Sequence, residues 1–397
     1  MQRIVRYMKW LLTASGIVAM ATAVGGVGLS GASAKGFKGT IKVNVVSDFT
    51  GDLEVANGMK GALAYFDSVN ATGGIDGYKI VAKEFDTQSS PTTAVQAVRS
   101  AVAGKPTAIL GGSFVISTAL PSLAQSGVPA VGDGFAAGWT GHKTMFPIAG
   151  DEAGHISNVL AAVDKKFGGA KKVALLGSSL YPADLKNLSQ HIPNLGVKVV
   201  FKDLTLPLVP TSAQLLTAAE QIKAAGAQGV VAIGVEDLAA IQVDLNQLGA
   251  KVSVVTTDFY PPTKSEDGLI YSEPWADSYI KGNPGVTQFV AAMTKFGYAK
   301  DIDSDSFAPV RWAEAALLVH GLEVAGPQFS HKALVKALGT TENFTADGIV
   351  PPASYPKFQK IGDNCQTALK VVNGKWVPEL SGPSPFLCGG PSLPDAS

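Results

Sequence analysis

The sequence lacks several features that mark common classes of function. It contains only two cysteines in 397 residues, too few for a disulfide framework or for a four-ligand zinc site. Lysine plus arginine and aspartate plus glutamate number 32 each, so there is no basic excess of the kind that nucleic-acid binding requires. With 46% hydrophobic and 16% charged residues, the chain is not a disordered polar polymer either. Its length favours two domains.

Motifs that carry catalysis are also missing. None of the five histidines lies in an HExxH, GxSxG or CxxC setting, and no GxxxxGK[ST] phosphate-binding loop occurs. A GxGxxG match at residues 26–31 lacks the preceding strand and the following helix of a dinucleotide site. No pair of carboxylates stands at a spacing that indicates acid–base chemistry. We therefore predict a protein that is not an enzyme and that uses no cofactor and no metal.

The start of the chain is organised like an export signal. Three basic residues within the first nine precede residues 10–34, which carry no charge at all. Ala32-Ser33-Ala34 then fits the small-x-small rule for signal cleavage. We predict a secretory signal peptide over residues 1–34 and an exported protein, located in the periplasm, the cell envelope or outside the cell. The alternative is that residues 10–29 are retained as a membrane anchor.

After this segment, short β-branched runs alternate with amphipathic stretches. Strands are predicted over residues 41–46, 80–85, 107–110 and 128–131, and helices from Met59 and over 91–103 and 117–125. The pattern restarts with strands over 172–176, 197–201, 229–233 and 252–256, and with helices over 154–167, 183–192, 211–225 and 236–248. Further helices over 285–296, 307–325 and 331–338 precede a hairpin, 368–372 and 375–378, turned by Asn373-Gly374. This order predicts two doubly wound parallel-sheet α/β lobes.

Ligands of open α/β sheets bind beyond the carboxyl ends of the strands, so the turns that follow strands form the candidate site. The turn Gly111–Thr118 leads from a strand into a helix. Its backbone N–H groups and the hydroxyl of Ser117 or Thr118 are predicted to bind a carboxylate or another electronegative group at the helix N-terminus. Ser117 also fits a helix cap, and the two roles are compatible.

Four further turns carry candidate contacts. Gly132–Trp139 combines accessible glycine backbone with the rigid apolar walls of Phe135 and Trp139, although core aromatics in a plain loop are the alternative. The turns of the second half contribute Tyr181, Glu236 or Asp237, and Phe259. The alternative for the pair Glu236-Asp237 is that these acidic residues only lie in the first turn of a helix, where the helix dipole favours them.

Cys365 and Cys388 enclose a Gly- and Pro-rich part of the tail. In an exported protein this arrangement favours a disulfide between them. Closing a loop of that size would stabilise the fold by roughly 3 kcal/mol in the chain-entropy model.

Four stretches together resemble one known family. They are Ile41–Gly51 (IKVNVVSDFTG), Val69–Gly77 (VNATGGIDG), Glu84–Pro91 (EFDTQSSP), and Gly111–Pro121 followed by Gly127-Val128-Pro129. In the same order, the corresponding stretches of that family are a strand that ends in an LTG turn, the sequence INAAGGINGR, the sequence DDQSDPAKA, and GP-x-SS followed by GIP. The chain thus resembles the type I periplasmic binding proteins of ABC importers, in the branched-chain amino acid-binding (leucine/isoleucine/valine) family, from about Ile41 to Pro378.

This resemblance implies the type I periplasmic binding protein fold, in which three crossovers form the hinge between two lobes. The crossings are expected near Gly150, Pro274 and Gly348. The expected lobes are then residues 35–150 plus 275–348 and residues 151–274 plus 349–397. The family implies capture of a small-molecule ligand and delivery to ABC importer permease subunits, and we expect a monomer without nucleic-acid partners. A membrane-retained sensor of the same fold that feeds a receptor is the alternative.

The resemblance also carries over a set of ligand contacts. They are Phe114, Ile116, Ser117, Thr118, Asp133, Phe135 and Ala136 from the first lobe, and Tyr181, Glu236 and Phe259 from the second. Amino acid binders usually place a serine at the helix start, where this chain has Ile116, and a serine or threonine in the next turn, where it has Phe135 or Ala136. We therefore expect an amino acid-like ligand or, given these apolar residues, an apolar carboxylate or amide.

Overall fold

The computed structural model describes residues 36–51, 58–134, 138–148, 161–163, 168–179, 182–257, 260–303, 307–355 and 365–388. The predicted signal peptide and most of the helix predicted over residues 154–167 lie outside the described residues. Within the ranges given above, no helix combines the length and the apolar character needed to cross a membrane.

The first sheet has five parallel strands in the order β2-β1-β3-β4-β5. The strands are β1 (Gly39–Ser47), β2 (Tyr78–Asp86), β3 (Ala108–Gly112), β4 (Ala130–Gly132) and β5 (Met145–Pro147). The β-branched residues of β1 are almost all buried, as expected for a central strand that helices cover on both faces. The sequence pattern did not predict β5, because it is three residues long and has no β-branched residue.

Helices α1 (Met59–Ala71), α2 (Pro91–Ala103) and α3 (Leu120–Ser126) accompany these strands, and a 3₁₀ turn, Ile116–Ala119, precedes α3. The bounds of α2 are those predicted. Its first turn contains Pro91, and the hydroxyl of Ser90 accepts the N–H of Thr93 at 3.4 Å. Local capping chemistry therefore sets this helix start.

The second sheet follows the order β12-β11-β10-β9-β8-β6-β7, with β13 paired to β11. Its strands are β6 (Lys172–Ser178), β7 (Lys198–Leu206), β8 (Gly229–Ile233), β9 (Ser253–Thr256), β10 (Ile270–Glu273), β11 (Cys365–Val372), β12 (Lys375–Pro378) and β13 (Leu387–Cys388). Strands β6 to β10 are parallel, whereas β11, β12 and β13 pair antiparallel. The accompanying helices are α4 (Pro182–His191), α5 (Ser212–Ala224) and α6 (Leu238–Gln247).

Two local predictions in this half are confirmed. The hairpin between β11 and β12 turns at Asn373 and Gly374, whose φ angles of 52° and 73° suit the twist of the strands. The disulfide between Cys365 and Cys388 joins β11 to β13.

Three later helices return to the first sheet. They are α7 (Pro284–Lys295), α8 (Ala308–Ala325) and α9 (His331–Leu338). Helix α8 packs against α1, β3 and β4, and α7 also packs against α1. Nearly all of α8 is buried, including two charged residues discussed below. The element order explains this arrangement, because the chain leaves the first sheet after β5 and comes back to it only after β10.

Three connections therefore join the two sheets: after β5, after β10 and before β11. The second and third are hydrogen-bonded to each other, since the N–H of Ala276 donates to the carbonyl of Ile349 at 2.7 Å. The hydroxyl of Tyr355 donates to the carbonyl of Pro147, at the end of β5, at 2.6 Å. This topology confirms the predicted fold class of two doubly wound lobes joined by three crossovers.

Gly61 sets the distance between α1 and α8. A Cβ atom at this position would lie 1.9 Å from the carbonyl oxygen of Ala308. We expect Gly61→Ala to lower the free energy of unfolding by about 1–3 kcal/mol, because the two helices must move apart. Urea unfolding measures the change. Lys60→Ala, at the half-buried neighbouring position, is the control and should change stability by about 0.5 kcal/mol or less. An equal effect of both substitutions would contradict the close approach.

Candidate functional site

The strand order defines one switch point in each sheet. In the first sheet β1 lies between β2 and β3, and in the second β6 lies between β7 and β8. The chain leaves such neighbouring strands toward opposite faces, which opens a crevice at their carboxyl ends. Asp48 and Ser113 follow β1 and β3 at the first crevice, and Glu236 follows β8 at the second. These ends are the candidate ligand site.

A buried carboxylate joins three strand ends at the first crevice. Asp48 is fully buried, and its Oδ1 accepts the hydroxyl of Ser113 at 2.9 Å and also that of Thr87. Its Oδ2 accepts the backbone N–H of Phe114 at 2.9 Å. Burial raises the pKa of Asp48, although these three hydrogen bonds and the charge of Arg311 act in the opposite direction. The carboxylate thereby ties the turn after β3 to the ends of β1 and β2.

The turn after β3 satisfies its own N–H groups. Asp48 accepts that of Phe114, the Ser113 hydroxyl accepts that of Val115 at 3.2 Å, and the Ser113 carbonyl accepts that of Ile116 at 3.3 Å. The segment continues as a 3₁₀ turn rather than as the α-helix predicted from residue 117. Among the described residues, Ser117 is not the cap that the sequence suggested: the N-cap position is Val115, and the side chains of Ser113 and Asp48 bind the N–H groups just before the turn.

A row of aromatic rings leads from this turn to the second crossover. Phe114 is 37% exposed, and its ring meets the ring of Phe307 edge-on, with centroids 5.3 Å apart. Phe307, just before α8, also contacts Trp275, with centroids 5.6 Å apart. Trp275 lies in the crossover after β10 and is fully buried. The row therefore places the exposed side chain of Phe114 at the carboxyl edge of β3 and packs it against rings from the second crossover.

Arg311 occupies the centre of a buried ionic cluster beside these rings. Its guanidinium binds Asp133, which follows β4, at 2.8 Å, and Glu314, one turn further along α8. It also lies over the Phe307 ring, 5.7 Å from the centroid. Gly112 makes room for the group, because a Cβ atom there would lie 1.9 Å from the guanidinium carbon.

Burial and charge act against each other within this cluster. Burial acts to lower the pKa of Arg311, but the carboxyl groups of Glu314 and Asp133 raise it above its usual value. Burial raises the pKa of Glu314 well above its usual range, and the Arg311 charge opposes that shift. The guanidinium therefore stays charged and holds α8 to the carboxyl end of β4.

The predicted contact residues of the first lobe differ in how deeply they are buried. Phe114 is exposed at the carboxyl end of β3, whereas Ile116 is fully buried in a hydrophobic cluster that includes Trp139. The hydroxyl of Thr118 donates to the carbonyl of Pro91 at 3.2 Å, on the side of α2, while Ser117 is half-buried. Asp133 is buried against Arg311. The structure thus brings Phe114 and Asp133 to the strand ends and turns Ile116 into the core.

On the second sheet, Glu236 follows β8 and is half-buried, and its N–H donates to the carbonyl of Leu208 at 2.9 Å. Asp237 has a φ of 58° and directly precedes α6. Four predicted contacts lie outside the described residues: Phe135, Ala136, Tyr181 and Phe259.

Sequence reasoning missed four residues of this site: Asp48, Trp275, Phe307 and Arg311. Asp48 follows a predicted strand, as the other candidates do, so its position could have been considered. Arg311 lies in α8 and Phe307 just before it, and the strand neighbours of this helix are far away in the sequence. Only a charged residue at an otherwise apolar helix face could have indicated the role of Arg311.

Comparison with known proteins identifies the family. A family profile described as "Periplasmic binding protein" matches residues 40–375. The chain belongs to this family. No curated protein sequence matches it significantly. The resemblance seen in the motifs is confirmed, and with it the prediction that this periplasmic binding protein is not an enzyme, since the family and its structural neighbours bind solutes.

Solved structures support the same fold at low sequence identity. An ABC transporter substrate-binding protein from Aeropyrum pernix is 20% identical, with a TM-score of 0.75 over 88% of this chain and 96% of that chain. A fatty acid ABC transporter substrate-binding protein from Thermomonospora curvata is 17% identical, with a TM-score of 0.74 over 90% and 96%. A branched-chain amino acid transporter substrate-binding protein from Streptococcus pneumoniae, solved with isoleucine, is 18% identical, with a TM-score of 0.68 over 85% and 99%. The chain therefore shares the fold of these proteins, and membership of the periplasmic binding protein family implies a location outside the cytoplasm.

Proposed function

We propose that this periplasmic binding protein is the solute-capture component of an ABC importer. It takes a small molecule between its two lobes and delivers it to the permease subunits as a monomer. The lobes comprise residues 35–150 plus 275–348 and residues 151–274 plus 349–397. Residues 1–34 act as the export signal. The observation that carries the proposal is the pair of strand-order switch points, each with polar residues at its carboxyl edge, in two sheets joined by three crossovers.

For the ligand we propose an apolar carboxylate or amide, or an amino acid-like molecule. The exposed ring of Phe114, backed by Phe307 and Trp275, supports an apolar ligand. Two structural neighbours are described with such ligands, isoleucine and fatty acid. Glu236, Tyr181 and Phe259 are the proposed contacts of the second lobe, with Phe135 and Ala136 beside Phe114 in the first.

Mass spectrometry of the purified protein under native conditions tests solute capture directly. We expect a small molecule to co-purify and to be recovered chemically unchanged after unfolding. A thermal-shift screen with amino acids, fatty acids, aromatic acids and their amides should then give a rise in the melting temperature that saturates with ligand concentration. Conversion of the bound compound, or the absence of any stabilising compound together with a ligand-free mass, would contradict the proposal.

Phe114→Ala tests whether the exposed ring contacts the ligand. We expect the affinity for the co-purifying or screened ligand to fall roughly tenfold or more, because a rigid aromatic contact is lost. Isothermal titration calorimetry measures the change. Phe37→Ala is the matched control: Phe37 is similarly exposed, at 42%, but precedes β1 at the opposite edge of the sheet. Equal affinities of the two variants would argue against a ligand contact at Phe114.

A further inference from the structure

The turn after β3 already donates hydrogen bonds to a carboxylate of the protein itself, that of Asp48. In an open α/β sheet, the N–H groups at such a turn are the donors that a ligand carboxylate would use. Here the N–H of Phe114 and the hydroxyl of Ser113 both donate to Asp48, at 2.9 Å each. The N–H groups of Val115 and Ile116 donate to Ser113. Three successive N–H groups are therefore bound within the protein.

The electrostatic surroundings add to this effect. Asp48, Asp133 and Glu314 supply three carboxyl groups at the ends of β1 and β4 and on α8, and Arg311 is their common cation. Both terminal nitrogens of Arg311 already bind carboxylates, and its side chain is 2% exposed. Its terminal nitrogens are therefore not available to a ligand anion, and an approaching carboxylate would meet buried carboxyl groups close to this turn.

We propose that Asp48 determines the ligand class of the first lobe by occupying the position that a ligand carboxylate would take. The inference rests on the proposed function and narrows it. The ligand presents an uncharged apolar end to Phe114, and the preferred class is an apolar amide rather than an amino acid or a free carboxylic acid. Asp48 acts as a positioning residue, since it is fully buried and acts through Ser113 and the Phe114 backbone.

Matched pairs of compounds test this proposal by calorimetry. The probes are phenylacetamide with phenylacetate, hexanamide with hexanoate, and isoleucine. For the wild-type protein we expect at least one amide to bind ten times more tightly than its carboxylate, and isoleucine to bind no better than the carboxylates. Asp48→Ala frees the Phe114 N–H and the Ser113 hydroxyl. We expect it to reduce the amide-to-carboxylate ratio tenfold or more, mainly through tighter binding of the carboxylate.

Two further variants keep the result interpretable. Asp48→Asn preserves the shape and one acceptor oxygen but removes the charge. It replaces Asp48→Ala if that variant shows no cooperative thermal transition. We expect Asp48→Asn also to lower the amide-to-carboxylate affinity ratio. Asp267→Ala is the control, since Asp267 also accepts a backbone N–H, that of Gly374 at 2.8 Å, but precedes β10 at the far edge of the second sheet. It should leave the ratio unchanged.

The proposal is overturned if a carboxylate or isoleucine binds the wild-type protein as tightly as the amides do, or if the folded Asp48 variants keep the wild-type ratio. It is also overturned if none of the probes binds. Solute capture is judged separately by the co-purifying compound: an unchanged small molecule that is a carboxylic acid would refute the role of Asp48 and leave the importer function standing.

Discussion

Arg311→Met is expected to lower the free energy of unfolding by about 3–5 kcal/mol, because it leaves the carboxyl groups of Asp133 and Glu314 buried without their cation. Methionine has a similar reach but no charge and no fork of donors. Two further losses act in the same direction: the contact of the guanidinium with the Phe307 ring and the filling of the space above Gly112. Urea unfolding followed by circular dichroism measures the change.

A variant in which the whole cluster is uncharged separates the effect of the unpaired carboxyl groups from the loss of packing. In Arg311→Met combined with Asp133→Asn and Glu314→Gln, no buried charge is left unpaired, so we expect much of the lost stability to return. Arg99→Met is the control, since Arg99 lies exposed on α2, and it should change stability by about 0.5 kcal/mol or less. A loss below about 1 kcal/mol in Arg311→Met would show that the ionic cluster does not hold α8 to β4.

Asp277→Asn is expected to stabilise the protein at pH 8 by up to about 4 kcal/mol and to have almost no effect near pH 4. Asp277 lies fully buried in the crossover after β10, where its Oδ1 accepts the N–H of Tyr279 at 2.8 Å and its Oδ2 has no hydrogen-bond partner among the residues that the structure describes. Burial raises the pKa of this carboxyl from 3.8 to about 7, and the charge of Asp303 adds to the shift. Asparagine has the same shape and keeps the acceptor.

The sign follows from proton binding. The folded protein holds a proton on Asp277 up to about pH 7, whereas the unfolded chain releases it near pH 3.8. Below about pH 3.8 Asp277 is protonated in both the folded and the unfolded protein, so it does not lower the free energy of unfolding. As the pH rises to 7, Asp277 lowers the free energy of unfolding by an increasing amount. Above pH 7 this destabilisation is constant, because the folded protein then buries a charge. The difference between variant and wild type should therefore rise between pH 4 and pH 7.

Thermal unfolding in buffers from pH 4 to pH 8 tests this dependence. Glu342→Gln, which neutralises an exposed acid, is the control and should give a small difference without this rise. A stabilisation by Asp277→Asn that is equal at pH 4 and pH 8 would refute the buried-charge explanation. Asp303→Asn should reduce the cost at pH 8, since it removes the neighbouring charge that raises the pKa of Asp277.

The elements of the fold that follow from local chemistry were predictable from the sequence. Helix α2 begins at its cap and at Pro91, and the β11–β12 hairpin turns at Asn373-Gly374, as the residues alone indicate. The alternation of strands and helices determines the first sheet and the parallel part of the second, because a chain of this order can cover its strands in few other ways. The short strand β5 and the 3₁₀ turn before α3 were not predictable, since each is too short to have a periodicity of its own.

The composition of the candidate site, by contrast, was decided by the tertiary structure. Local patterns report neighbours a few residues apart, but Asp48 meets Ser113 across 65 positions and Arg311 meets Asp133 across 178. The sequence by itself predicted that turns after strands form the candidate site and that Phe114 is among their residues. Only the packing of α8 on β3 and β4 brought Arg311 and Phe307 to those turns, and only the three strand ends together placed the buried carboxylate of Asp48 beside the turn after β3. A side chain acquires its role there from the partners that share its low-dielectric surroundings, and spacing along the chain does not specify those partners.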